Sequence, residues 1–489
     1  MRSTGTLEAS RARGALGAEE EQAIRDAVTW TRAYPTDRIF IRAGDLLDHG
    51  SLLFDIISHA RNHSLAAVTP WVFAKGWSFA EMVRVESIAG TGEEAPLALA
   101  QFRTLLADSR IEPSFAFLFY SSDHDDDEVF ATFRGRFPDV PIVGGTSCSG
   151  VMTDRGLAGQ ASIGALLIED PDGEYGAASA TFGSDPAGAA ERALAQALVA
   201  AGCPGELPEL VWVYQAPGQE EAVIEGLRRL VGDRCPIIGG SAADQQVAGN
   251  WRQIGPDGPF AAGLAVGVLF SSGGIGFAFQ GGYEPTGPSG VITRIGYDAT
   301  GSSGIATETQ GRHIVQIDGR PAAEVYNDWT GGALAGRIDQ GGSILAETTL
   351  CPIGLDSEQS GEVPHYLLVH PAEITPERGL RTFATVAEGS RIYAMKGERR
   401  RLVERAGRVA TTARDTLEHE GASIAGGLVV YCGGCRLAVG DEMAGVVGEV
   451  AESFGPVPFL GCFTFGEQGS VLQRNVHGNL MISAVVFGQ

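Results

Sequence analysis

Lysine is almost absent from this 489-residue chain, which has only Lys75 and Lys396 among its 36 basic residues. The 60 acidic residues outnumber the basic ones and give a formal net charge of −24. Such a charge repels phosphate backbones and anionic membrane surfaces, and no basic stripe offsets it. The composition therefore argues against an unassisted role in binding nucleic acid.

Long apolar stretches are also missing. The longest one, residues 260–279, is broken by the sequence SSGG at 271–274. This interruption predicts two strands around a turn and not a membrane span. Met1 is not followed by a cleavable apolar leader. We therefore expect no membrane insertion.

The seven cysteines are odd in number and scattered, which fits reduced thiols in the cytoplasm better than a disulfide framework. Cys432 and Cys435 form one CxxC, but no second CxxC or HxxxH pair completes a four-ligand zinc site. The glycine-rich residues 281–290 lack the phosphate-loop lysine and the dinucleotide spacing. These patterns argue against a structural zinc site and a nucleotide fold.

One short pattern recurs three times, as VPIVGGT, CPIIGGS and VPFLGCF at residues 140–146, 235–241 and 457–463. Each copy follows an apolar segment ending in tyrosine and an amphipathic helix, and a further apolar segment comes after it. The leading segments are 115–120, 210–214 and 428–431, the predicted helices are 125–137, 220–231 and 442–454, and the final segments are 163–168, 263–270 and 480–487. The pattern predicts three strand-helix-strand-strand units.

A chain of this length can bury more than one core. We expect an α/β fold of two related domains built from these units, with mixed and mainly parallel sheets, because a helical crossover joins parallel strands. The domains are predicted at 82–295 and 296–489, and the break falls in a segment rich in glycine, proline and serine. Residues 1–81 lack the repeat and are interpreted as a docking arm or as sequence upstream of a true start at Met82.

Several of these segments resemble the FIST family, a bacterial sensory module made of paired N-terminal and C-terminal FIST domains. In the N-terminal half, PIVGGTSCSG at 141–150 is similar to a turn of that family. In the C-terminal half the similar segments are IDGRPA at 317–322, YCGGCR at 431–436 and GCFTFGE at 461–467. The resemblance extends over most of residues 82–489.

The resemblance implies a sensor that binds a small molecule such as an amino acid. Because no output domain is recognisable, it also implies a separate partner such as a kinase, a cyclase or a chemoreceptor component. Some members are reported to bind haem and respond to nitric oxide, which is an alternative here. Two departures from the family pattern bear on the ligand more than on the fold: Gln468 follows the Gly466-Glu467 turn where the family commonly has isoleucine, and NLM at 479–481 stands in place of the family's Asn-x-Thr.

Ligands of open α/β sheets bind beyond the carboxyl ends of the parallel strands. In the third unit this rim carries Cys432, Arg436, Phe465, Gly466 and Glu467. An arginine can hold a carboxylate through two hydrogen bonds, and a glutamate can accept from an ammonium group. Arg436 and Glu467 therefore suit an amino acid. Alternatively, the two side chains simply pair with each other.

The equivalent turns of the first two units carry Thr146, Ser147, Cys148, Ser241 and Asp244. These side chains can form hydrogen bonds with a polar ligand. Alternatively, the neighbouring glycine pairs only permit tight turns, and the hydroxyl groups cap local backbone groups.

We favour the sensor hypothesis, and three other functions remain as alternatives. Cys432 or Cys462 can serve as the nucleophile of an enzyme, the CxxC can act in redox chemistry, and a scaffold without a ligand is a third alternative. A haem site would need a lone axial ligand such as His313, His365, His370 or His477. The acidic run 124–128 is interpreted as a helix start and not as a cation site. We expect no resident metal or cofactor.

Overall fold

The computed structural model describes residues 82–296, 311–356, 365–419 and 422–489. Val83–Gln489 form one compact unit. The predicted N-terminal extension, residues 1–81, lies outside the described residues. No helix within the described ranges is both long enough and apolar enough to span a membrane.

Each predicted unit belongs to a longer repeat, which begins with one more strand and helix and includes a hairpin before its final strand. The first repeat consists of β1 (Arg84–Gly90), α1 (Ala95–Asp108), β2 (Phe115–Tyr120), α2 (Asp126–Arg136), β3 (Ile142–Thr146), the hairpin β4 (Val151–Thr153) and β5 (Gly156–Leu157), and β6 (Ile163–Glu169). Its second helix begins where the acidic run predicts, because the Asp125 carboxylate accepts a hydrogen bond from the Glu128 amide at 2.9 Å.

The second repeat has the same order of elements. It consists of β7 (Glu174–Thr181), α3 (Pro186–Ala200), β8 (Leu210–Gln215), α4 (Glu220–Val231), β9 (Ile237–Ser241), the hairpin β10 (Gln253–Gly255) and β11 (Gly258–Phe260), and β12 (Gly263–Phe270). The apolar run at 260–279 is confirmed as two strands around a turn, because β13 (Ile275–Gly281) follows β12 and opens the third repeat.

The third repeat is interrupted after β13 by an insertion that forms a nine-stranded antiparallel sheet with two short helices. The insertion comprises β14 (Tyr283–Ile295), β15 (His313–Ile317), β16 (Arg320–Pro321), α5 (Ala322–Trp329), β17 (Gly342–Ser343), α6 (Leu345–Thr348), β18 (Ile353–Asp356), β19 (Tyr366–Val369), β20 (Pro371–Ile374), β21 (Leu380–Thr382) and β22 (Arg391–Gly397). The repeat resumes with α7 (Arg399–His419), β23 (Ile424–Cys432), α8 (Gly433–Val439), α9 (Met443–Phe454), β24 (Phe459–Thr464), the hairpin β25 (Glu467–Val471) and β26 (Arg474–Gly478), and β27 (Met481–Gly488).

The three repeats exchange their hairpins in a closed ring. Within each repeat the four main strands lie in the order first, last, second, third, as β1-β6-β2-β3, β7-β12-β8-β9 and β13-β27-β23-β24. The hairpin leaves its own repeat and pairs with the third strand of another: β10 pairs with β3, β25 with β9, and β4 with β24. Each six-stranded sheet therefore contains strands from two repeats.

The prediction of mainly parallel sheets is wrong. Among the described strands, the parallel pairs are β2–β3, β8–β9 and β23–β24, as the helical crossovers require, and all other pairs are antiparallel. The final strand of each repeat returns antiparallel beside the second strand, and the first strand pairs with it on the outside. Strands buried on both faces read as continuous apolar runs whatever their direction, so periodicity does not distinguish the two arrangements.

Two of the exchanged hairpins connect residues on either side of the predicted domain boundary at 295/296. Met152 in β4 pairs with Gly461 in β24, and Glu467 in β25 pairs with Gly240 in β9. The segment 297–310, beside the predicted boundary, lies outside the described residues. The two-domain division stays a prediction.

The largest core lies between the three six-stranded sheets. Phe117 of the first repeat packs edge-on against Trp212 of the second, with ring centroids 5.0 Å apart, and contacts Phe487 of the third at 6.2 Å. All three side chains are fully buried. Because this core draws on every repeat, it holds the carboxyl ends of the parallel strands in a common position.

Candidate functional site

The carboxyl ends of β3, β9 and β24 meet, although these strands belong to three different repeats. Three backbone hydrogen bonds connect them in a ring. These run from the Cys148 amide to the Phe463 carbonyl (3.2 Å), from Ala243 to Thr146 (3.0 Å) and from Phe465 to Ser241 (3.1 Å). Each bond joins two different repeats, so the three turns form one surface.

A cavity of about 540 Å³ opens at this junction, and we refer to it as the central cavity. Its walls come from all three repeats and from the insertion, which contributes Leu345, Thr349, His370 and Phe383. Five of the ten predicted site residues line it: Cys148, Asp244, Cys432, Arg436 and Phe465. The volume falls in the range typical of pockets for small molecules.

The other five predicted residues lie behind the cavity wall. Ser147 donates from Oγ to the Gly150 carbonyl at 2.6 Å and accepts from the Phe463 amide at 2.8 Å. Thr146 Oγ1 accepts from the Arg252 amide at 3.0 Å. Both hydroxyl groups therefore bind backbone groups, which matches the alternative interpretation of these turns.

Gly466 lies where a side chain would collide with its neighbours. A Cβ atom at this position would lie 2.6 Å from His477 Nε2 and 3.2 Å from Ser241 Oγ. The Ser241 hydroxyl donates to Glu220 Oε1 at 2.7 Å. Gly466 and Ser241 thus face a buried polar cluster and not the central cavity.

Glu467 is fully buried and does not pair with Arg436. Its carboxyl group accepts hydrogen bonds from the Thr464 hydroxyl at 2.8 Å and from the Met481 amide at 3.1 Å. Burial, followed by the nearby Cys432 thiol, raises the pKa of Glu467 well above its usual value. Burial therefore favours the protonated form of this carboxyl group, and its hydrogen bonds support the turn from behind the cavity wall.

Arg436 lines the central cavity without an acidic partner in the described residues. Its guanidinium lies over the Phe463 ring, 5.5 Å from the centroid. The Nε atom is buried and forms no hydrogen bond with the described residues. A buried polar donor without a partner has a free-energy penalty of about 1–3 kcal/mol, which a bound anion would relieve.

Asp244 anchors the loop that forms another wall. Its carboxylate accepts from the amides of Gln246, Ala248 and Asn250, at distances between 2.7 and 3.2 Å. The side chain is buried and still borders the cavity. Asp244 and Asp123 are the two carboxylates that line it.

The rim thiols are not arranged for nucleophilic chemistry. Burial raises the pKa of Cys148 to about 12 and raises the pKa values of Cys432 and Cys462 well above the ordinary value. Cys432 instead accepts a hydrogen bond from the Gly434 amide at 3.3 Å and caps α8. Since the thiolate is the reactive form, this geometry disfavours the enzyme and redox alternatives.

His370 and Asn479 also line the cavity. The sequence suggested His370 only as a possible haem ligand and did not predict either residue as part of the ligand site. The Asn479 amide oxygen accepts from the His370 backbone amide at 3.2 Å, and the ring Nε2 of His370 forms a 2.9 Å hydrogen bond with the Thr348 hydroxyl. The ring also bonds to the Leu345 backbone. Burial lowers the pKa of His370 to about 4. Because the ring is engaged in these bonds, it does not fit the role of an axial haem ligand.

A second polar cluster lies beside the cavity. The Arg312 guanidinium contacts Glu220 at 2.7 Å and Glu221 at 2.6 Å, and Glu221 also contacts His477 Nδ1 at 2.9 Å. Glu220, Glu221 and His477 carry ligand atoms close enough to hold a metal ion. Arg312 already neutralises them, so we interpret the cluster as an ion network. The sequence had no signal for it beyond the start of α4.

Comparison with known proteins places these domains in a family. The FIST N domain model matches residues 114–320, and the FIST C domain model matches residues 322–470. No curated protein sequence matches the chain.

Solved structures resemble the chain only weakly. A cyanuric acid hydrolase from A. caulinodans has 12% identity and a TM-score of 0.25, over 40% of this chain and 71% of that chain. A second cyanuric acid hydrolase has 10% identity and a TM-score of 0.26, over 41% and 72%. PurLQS from Thermotoga maritima has 8% identity and a TM-score of 0.20, over 65% and 72%. Values this low show neither a shared fold nor a shared activity.

Proposed function

We propose that this chain, which belongs to the FIST family through its FIST N and FIST C domains, binds a small polar ligand in the central cavity and reports its presence to a separate protein. The observation that carries the proposal is the unpaired Arg436 in the cavity wall. An arginine in such a position favours a ligand that brings a carboxylate or a similar planar anion.

The ligand is an amino-acid-like metabolite. Its carboxylate binds Arg436, and its ammonium group binds Asp244 or Asp123, the carboxylates that line the same cavity. Glu467 does not serve as the ammonium acceptor, because it is fully buried and does not line the cavity. Phe465 and Phe383 offer apolar surface to the remainder of the molecule.

The proposed signal depends on the fact that three repeats and the insertion all contribute residues to the cavity wall. A ligand that contacts three repeats and the insertion together favours the arrangement in which these walls are closest. The altered surface is then recognised by a cytoplasmic partner such as a kinase, a cyclase or a chemoreceptor component, in keeping with the family resemblance.

The test is a titration of the purified full chain with a panel of amino acids by isothermal calorimetry. Arg436→Ala is expected to weaken binding of the best ligand by about 10- to 100-fold, because a charge-assisted pair contributes roughly 1.5–3 kcal/mol. Glu467→Gln is the matched control and is expected to bind within about twofold of the wild type, since it keeps the size of a side chain that does not line the cavity. Unchanged affinity in Arg436→Ala would remove this site.

A further inference from the structure

A basic surface segment lies in the first turns of α7, outside the central cavity. Four arginines of this helix line a cavity of about 410 Å³ next to Tyr283. These are Arg400, Arg401, Arg405 and Arg408, and the acidic residues in the same wall are Glu284 and Glu404. The wall therefore has a formal excess of positive charge on a protein whose total charge is −24.

Three of these arginines have acidic partners. Arg401 contacts Glu284, and Arg400 and Arg408 both contact Glu404, at 3.4 and 4.0 Å. These ion pairs are exposed to water and therefore weak, so another anion can readily replace the glutamate as the partner of the arginine.

Arg405 has no acidic partner among the described residues. It is half-buried, and its Nη1 donates to the side-chain oxygen of Gln280 at 3.0 Å. Burial, followed by the charges of Arg408 and Arg401, lowers the pKa of Arg405. The positive charge at this point is thus repelled by its neighbours and not compensated.

A second, more apolar cavity of about 330 Å³ adjoins the first and shares Tyr283 and Arg405 with it. Its apolar wall includes Phe279, Tyr366, Leu368, Val471 and Met481. None of the residues of either cavity lines the central cavity. Arg405 therefore lies at the boundary between the two cavities, which we refer to as the cationic compartment and the apolar compartment.

We propose that these two compartments form a second ligand site, which binds an anionic amphiphile. The carboxylate or phosphate head lies among Arg400, Arg401 and Arg405, and the apolar chain lies against Phe279, Leu368 and Val471. Guanidinium groups bind carboxylate and phosphate alike. Burial of an apolar chain adds about 0.8 kcal/mol for each methylene group, which a bare anion does not gain. The strong negative charge of the rest of the protein disfavours a polyanion such as a nucleic acid at this site.

The experiment is a calorimetric titration of the full chain with decyl phosphate, decanoate, inorganic phosphate and the uncharged octyl glucoside. Decyl phosphate or decanoate is expected to bind at least about 100-fold more tightly than inorganic phosphate, given the buried methylene groups. Arg405→Ala is expected to weaken this binding by about tenfold or more. Arg399→Ala, which removes the same charge from the same helix outside the cavity wall, is the matched control and is expected to bind as the wild type does.

A second variant keeps the test independent of Arg405. Val471→Trp fills the apolar compartment without removing any charge. It is expected to weaken the binding of decyl phosphate about tenfold and to leave the affinity for inorganic phosphate unchanged. Thermal melting of each variant without ligand verifies that it is folded. Three results would overturn the proposal. The first is equal affinity of the wild type and Val471→Trp for decyl phosphate. The others are that the wild type binds inorganic phosphate, or octyl glucoside, as tightly as it binds decyl phosphate.

Discussion

Burial decides which side chains around the central cavity carry charge. It lowers the pKa of His370 to about 4, raises the pKa of Cys148 to about 12, and raises the pKa of Glu467 well above its usual value. His370 and Cys148 are therefore neutral at neutral pH, and burial favours the neutral form of Glu467. The charge at the wall is left to Arg436 and to the carboxylates, which gives the cavity one cationic group for an anion.

His370 is expected to make the protein less stable as the pH falls from about 6.5 towards 4. In this window the unfolded chain binds a proton that the native ring does not, so the free energy of unfolding rises with pH and is lost on acidification. The difference between the two pKa values corresponds to about 3 kcal/mol. Urea unfolding across this window is expected to show that loss in the wild type and a smaller one in His370→Gln.

His365 is exposed and serves as the control for this measurement. His365→Gln is expected to keep the pH dependence of the wild type. If His370→Gln lost as much stability as the wild type between the same pH values, another group would be responsible for the acid sensitivity.

At the scale of elements, the repeated glycine pairs are explained by close backbone contacts. The first glycine of the pair lies against the preceding strand: a Cβ at Gly144 would lie 1.8 Å from the Leu118 carbonyl oxygen. The second lies against another repeat: a Cβ at Gly145 would lie 2.2 Å from the Arg252 carbonyl oxygen, next to the exchanged hairpin, and a Cβ at Gly240 would lie 2.4 Å from Thr464 Cγ2. The sequence pattern thus marks the places where strands of one repeat meet the hairpin of another.

Gly239→Ala is expected to destabilise the protein by about 3 kcal/mol or more. The residue has φ +157°, and a Cβ would lie 1.8 Å from the Val213 carbonyl oxygen, where only backbone movement can relieve the overlap. Gly232→Ala is the matched control, with φ +68° and open space around the position. It is expected to cost about 1 kcal/mol. Urea unfolding of the two variants measures the difference, and equal losses would contradict the close contact.

At the scale of the whole molecule, Arg312 connects parts that are distant in sequence. It lies before β15 of the insertion and binds Glu220 and Glu221 at the start of α4, while His477 of the exchanged hairpin binds Glu221. The Glu221 carboxylate also accepts from the Thr385 amide at 2.8 Å. Despite burial, Arg312 and then His477 hold the pKa values of both glutamates below the usual range. The network therefore fastens the insertion, and with it one wall of the cavity, to the repeats.

Arg312→Met is expected to destabilise the protein by about 3–5 kcal/mol, because it leaves two adjacent carboxylates without their cation. Arg378→Ala breaks exposed pairs with Glu324 and Asp339 and is expected to have little effect on the free energy of unfolding, because water screens these pairs. Adding Glu220→Gln and Glu221→Gln to Arg312→Met is expected to restore part of the loss. Denaturant unfolding of these variants would contradict the network if Arg312→Met and Arg378→Ala had similar effects.

Local chemistry made several features predictable. The acidic residues after Asp125 begin a helix because their charges and side-chain oxygens complement its amino end. Asp318 and Gly319 form a turn with positive φ angles of 49° and 76°, as an Asp-Gly pair favours, and a helix follows Pro321. These features depend on neighbours in sequence, so short patterns are sufficient.

The sequence by itself determined the helices, the apolar strands, the threefold repetition and the family resemblance. Only the tertiary structure decided the antiparallel partners, the exchange of hairpins and the contribution of the insertion to the cavity. It also decided that Arg436 faces the cavity while Glu467 lies behind it, and that Arg312 meets Glu220. The physical reason is that strand direction and ion pairing depend on residues hundreds of positions apart. Burial then sets the charge of each side chain after those partners are in place.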